Sequence, residues 1–165
     1  MNIFLIISCC VVIVLQGTSG QQLAPADVIE SVLNTLSGAL QLAKNLPKTI
    51  KSLRQNQLLK DTDLIREMAS VILSSLNVTS VAINNLAAIE EIKQDSGKSN
   101  AIADIQAAVS SLAIPVIQLQ NTLQDIEVKG MRLELNVRLE LLEKTLENNV
   151  LKVQAEVMKV DRVKF

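Results

Sequence analysis

The chain has 165 residues, with 16 Lys and Arg against 17 Asp and Glu, a formal net charge of −1, and no extended basic tract that would point to a nucleic acid. It contains no His, Trp or Tyr, two Cys and two Phe. The absence of histidine removes the usual carrier of general-base chemistry, and the lack of stacking aromatics argues against nucleic acid.

In chain order, Ile3 to Leu15 is an apolar run too short to span a bilayer, followed by Gln16, Gly17, Thr18, Ser19 and Gly20. Small residues at Thr18 and Gly20 suit the positions before a signal-peptidase cut. Residues 1–20 therefore read as a removed secretory signal, and the product as a secreted, extracellular protein. Cys9 and Cys10 both fall in that segment, which leaves a mature chain without disulfides. A single domain over residues 21–165 must then be held by a core of Leu, Ile, Val and Ala.

Pro25 suits a first helical turn, and Val28, Ile29, Val32, Leu33, Leu36, Leu40, Ala43, Leu46, Ile50 and Leu53 keep helical spacing to about residue 55, with a kink expected at Pro47. Asp61-Thr62-Asp63 reads as a capping connection to a second helix over 64–93. From Met68 to Ile89 that helix has no charged side chain, but its Ser and Asn residues interrupt a membrane span, so a helix enclosed by neighbours is expected.

Gln94 to Asn100 reads as a turn, with Gly97 past a helix end and Ser99 or Asn100 capping a third helix over 101–127. Gly97-Lys98-Ser99 resembles the end of a phosphate-binding loop. Ile92 stands where that motif needs its first glycine, however, so a helix cap is the reading. The third helix carries the clearest apolar seam: Ile102, Ile105, Val109, Leu112, Val116, Leu119, Leu123 and Ile126. Its other face, with Gln106, Ser110, Gln118, Gln120, Asn121 and Gln124, has few charges, and Pro115 should bend it.

Gly130 precedes a fourth segment over 131–161, with a coiled-coil-like seam at Met131, Leu135, Leu139, Leu142, Leu146, Val150, Val153, Val157 and Val160. Glu134 with Arg138 and Glu140 with Lys144 are spaced to support it. Residues 131–141 also alternate strictly, a strand pattern, but Leu, Glu and Arg favour helix. The expected fold is all-α, an elongated up-and-down antiparallel four-helix bundle.

Charge is uneven along this chain. Five bases face two acids from Gln21 to Lys60, and eight acids face three bases from Asp61 to Ile126. Lys44, Lys48 and Lys51 share one side of the first helix beside its apolar face, the pattern of an interfacial basic face or of a solvated rim. Asn77-Val78-Thr79 is an N-glycosylation sequon, usable only if Asn77 points outward. The pairs Glu90 with Glu91 and Glu140 with Glu143 read as solvated charge, so no catalytic residue, metal ligand or cofactor is assigned and no enzyme is expected.

In sustained amphipathicity, aliphatic core and uncharged polar faces, the mature chain resembles exchangeable apolipoproteins of the apolipophorin III kind. The resemblance lies in composition and helical class and carries no residue across. It implies a binding protein for a lipid, an apolar small molecule or a membrane surface. The alternative is a structural or interaction protein that self-associates or docks on a protein partner through the coiled-coil-like last helix.

Overall fold

The computed structural model describes residues 24–57 and 59–165; the expected signal segment 1–20 lies outside them. Five α-helices and no strand occur among the described residues: α1 (Pro25–Asn56), α2 (Leu59–Ala87), α3 (Glu90–Gln94), α4 (Ser96–Lys129) and α5 (Leu133–Val160). The alternating stretch after Met131 is helical from Leu133. Its Leu, Glu and Arg residues lose little rotamer freedom in a helix.

The four long helices make a closed circuit of contacts, α1 on α2, α2 on α4, α4 on α5 and α5 on α1. Side-chain contacts give their directions. Arg54 near the end of α1 reaches Asn136, Glu140 and Glu143 near the start of α5. Arg66 near the start of α2 reaches Glu127 near the end of α4, while Asn84 near the end of α2 meets Gln106 near the start of α4. Arg138 early in α5 meets Asp125 late in α4. Each of these pairs of helices therefore runs antiparallel.

Three boundaries differ from the sequence reading. Asp61-Thr62-Asp63 lies within α2, where Ser52 Oγ of α1 donates to Asp61 Oδ2 at 2.8 Å, so Asp61 joins two helices instead of capping one. The second helix does not run unbroken to residue 93: it stops at Ala87, and α3 forms a separate turn. The segment around Gly97 is no turn, because Asp95 caps α4 through Oδ1, which accepts from Gly97 N at 2.9 Å and Lys98 N at 3.1 Å. One carboxylate thereby satisfies two amides that a helix start leaves without partners. At the far end of α4, Gly130 adopts φ +71 and ψ 172, a region open essentially to glycine alone, and its N–H donates to Ile126 O at 2.8 Å.

The core is aliphatic: among the described residues the buried hydrophobic side chains are Leu, Ile, Val and Ala, with Pro47 and Pro115 beside them. Full burial of each larger side chain contributes roughly 1.5–3 kcal/mol, and this burial is the main cohesive force. Three buried hydroxyls are satisfied inside their own helices. Ser75 donates to Val71 O, Thr79 to Ser75 O and Thr122 to Gln118 O.

Pro115 lies buried inside α4 and has no N–H to give the carbonyl four residues back, that of Ser111. Asn149 Nδ2 of α5 supplies the missing donor, reaching Ser111 O at 2.7 Å. Asn149→Leu is therefore expected to cost about 1–3 kcal/mol by stranding that carbonyl. Pro115→Ala should reduce the loss by restoring the helical N–H. Urea denaturation of the four corners of this double-mutant cycle checks it; an Asn149→Leu cost equal in both backgrounds would contradict the pairing.

Candidate interaction surface

The seam Ile102, Ile105, Val109, Leu112, Val116, Leu119, Leu123 and Ile126 lies inside the circuit of helices, none of its members above 9% exposed. The seam read on the last helix is likewise used within the chain. Leu135, Leu139, Leu142, Leu146, Val150, Val153 and Val160 are buried, with Met131 and Val157 packed against the core. That face is therefore closed to a coiled-coil partner, because the chain's own helices cover it.

What remains outside is zoned. Between Glu67 and Glu90 of α2 and α3, and between Asp104 and Asp125 of α4, no residue is ionisable. These two stretches sit on adjacent antiparallel helices, so their outward faces form one side of the molecule without charge. Ser74, Asn77, Ser110, Asn121 and Gln124 are exposed there, beside Val81 at 41%, Ile114 at 57% and Ile117 at 47% exposure. The expectation that α2 is enclosed is thus corrected: it buries one face and shows the other. Both α2 and α4 are long and apolar enough to cross a membrane by length and composition, yet less than half of either apolar window is buried.

Charged side chains close this side at both ends. Arg66 with Asp63 and Glu127 marks one end, and Glu90 with Lys93 and Glu91 with Lys98 the other. Lys98 thus pairs with Glu91 Oε1 at 3.2 Å, and Asp95 fills the amide position a phosphate would need, so Gly97-Lys98-Ser99 is structural.

Lys44, Lys48 and Lys51 are all exposed along the outer side of α1, and none has an ion partner among the described residues. Asn77 points outward from α2, but Thr79 of its sequon is buried and its hydroxyl is engaged by Ser75 O at 2.8 Å. The folded helix does not present the extended tripeptide with a free hydroxyl that an acceptor site offers.

Arg54, counted in the sequence only as one base among five, is the centre of the α1–α5 contact. Its side chain is 19% exposed and donates from Nε to Asn136 Oδ1 at 3.1 Å, from Nη1 to Glu143 Oε2 at 2.7 Å and from Nη2 to Glu140 Oε2 at 2.8 Å. The expected pairs Glu134 with Arg138 and Glu140 with Lys144 are both formed. No group of three or more His, Cys, Asp or Glu that could hold a metal occurs among the described residues. Comparison with protein-family models, curated proteins and solved structures finds no match.

Asp125 is held below its ordinary 3.8 by the hydrogen bond from Lys129 and by the charges of Lys129 and Arg138. Glu140 is held below 4.5, first by the hydrogen bond from Lys144 and then by the charges of Lys144 and Arg54. A carboxylate whose pKa falls on folding stabilises the fold above its unfolded value, and that stabilisation is lost as pH falls through the folded value. Asp125→Asn is thus expected to lower the urea midpoint at neutral pH and to change it little near about pH 2. Equal losses at both pH values would show that the residue acts through something other than its charge.

Proposed function

We propose that this chain is a secreted, non-enzymatic binding protein, an up-and-down four-helix bundle that lies on an apolar lipid surface through the side formed by α2 and α4. The observation that carries the reading is the charge-free side itself. Desolvating Ser, Asn and Gln between exposed Ile and Val costs far less than desolvating the ion pairs that cover the α1–α5 contact.

The interior supports the same reading. The buried hydroxyls of Ser75, Thr79 and Thr122 bond within their own helices, so parting α2 from α4 breaks none of these bonds. Among the described residues, the only side-chain hydrogen bonds between α2 and α4 are two exposed contacts, Arg66 with Glu127 and Asn84 with Gln106. Parting there, about the break at Ala88 and Ile89, would bring an aliphatic core onto hydrocarbon, while the Arg54 cluster keeps α1 on α5. Lys44, Lys48 and Lys51 add an attraction to anionic headgroups from the neighbouring helix α1.

Vesicle flotation tests this reading, detected by gel because the chain has neither Trp nor Tyr. The protein is expected to float with neutral phosphatidylcholine vesicles at high salt, and Ile114→Asp with Ile117→Asp to abolish flotation while leaving helicity unchanged. On anionic vesicles, Lys44→Ser, Lys48→Ser and Lys51→Ser together should remove only the salt-sensitive part of binding. Absence of flotation from neutral and anionic vesicles alike would end the lipid reading.

A further inference from the structure

Helix α5 carries two apolar faces. One is the buried seam; on the opposite side Val137, Leu141, Leu151 and Met158 are each more than half exposed. The outer positions run Val137, Leu141, Lys144, Asn148, Leu151, Ala155 and Met158, with steps of four and three in strict alternation. This is the spacing of the d and a positions of a heptad seam, and a solvated outer face has no need of it.

We infer that this outer stripe is a homotypic interface in which the α5 helices of two copies of the chain pack in parallel. Its edges decide the orientation. Glu140, Glu147 and Gln154 occupy the positions just before each a, and Arg138, Thr145, Lys152 and Lys159 those just after each d. One edge is acidic and the other mainly basic. Parallel helices bring the acidic edge of each copy onto the basic edge of the other, whereas antiparallel helices set acid against acid and base against base.

In the parallel arrangement the residue before an a position faces the residue five further along the second copy, which sets Glu147 opposite Lys152 twice over. Both side chains are exposed, and neither has an ion partner among the described residues. Glu140 and Lys159 on the same edges, by contrast, are paired within the chain. Asn148 sits at an a position, where two facing amides fix register and favour two strands at a cost in stability. Lys144 lies along the stripe with its ammonium held at 3.0 Å from Glu140, so its stem contributes apolar surface while the charge stays in water. A two-fold axis along the helix direction makes the contact self-complementary and closed. The interface uses α5 alone and stands independently of the lipid reading.

Sedimentation equilibrium of the protein is expected to show a reversible monomer–dimer equilibrium. Leu141→Asp with Leu151→Asp should leave only monomer, with unchanged helicity and unchanged flotation on neutral vesicles. Glu147→Lys should weaken the dimer about tenfold by placing like charges together, and adding Lys152→Glu should restore it. For orientation, Cys9 and Cys10 are replaced by Ser and single cysteines introduced by Val137→Cys or Met158→Cys. Each variant alone should form disulfide-linked dimers on mild oxidation. A protein that is monomeric at every concentration, a dimer indifferent to the Asp pair, or cross-links that form only when the two cysteine variants are mixed would overturn the proposal.

Discussion

The structure rests on aliphatic burial along the contacts between its four long helices. Among the described residues no disulfide or aromatic residue belongs to the buried set, and the hydroxyls of Ser75, Thr79 and Thr122 answer to carbonyls of their own helices. Such a core is cohesive because close-packed methyl and methylene groups are withdrawn from water. It is weakly directional for the same reason. Specificity of helix order and direction must therefore come from the surface and from a few polar contacts at the seams.

Those contacts are distributed unequally. The α1–α5 contact is locked by a guanidinium that serves an amide and two carboxylates at once, geometry that a lysine could not supply from a single point charge. The α4–α5 contact is fixed at mid-length by Asn149, which answers the carbonyl released by Pro115. Proline at that point frees a carbonyl that a neighbouring helix satisfies. The α2–α4 contact has nothing comparable, only exposed polar pairs toward its ends. The weakest polar coupling in the circuit and the charge-free outer surface thus coincide on one side, and that coincidence gives the lipid-surface proposal its physical content.

The helical class and most of the buried set were legible in the sequence, since a 3.6-residue period in Leu, Ile, Val and Ala states which stripe of each helix must leave water. Charge gaps were legible too: the run from Met68 to Ile89 and the sparsely charged face opposite the α4 seam are the two halves of the uncharged side. Helix ends were read less well. Asp95 was a capping residue in plain view, but Gly97 drew the boundary past it, because glycine after a helix and glycine in a first turn look alike until the backbone is known. The outer stripe of α5 was hidden by its own neighbour: its apolar positions merged with the buried seam into the strict alternation from Met131 to Leu141, and two helical stripes on opposite faces imitate a strand.

By itself, the sequence determined the all-helical class, the aliphatic character of the interior and the absence of histidine chemistry, because these follow from composition and local periodicity. Tertiary structure alone left the second apolar stripe of α5 uncovered on its outer face. It also brought Arg54 to Glu140 and Glu143 across separations of 86 and 89 residues, and Asn149 to Ser111 across 38. A side chain's period along its own helix says that it has a face, whereas the partner meeting that face depends on how whole helices pack, and no local pattern encodes it.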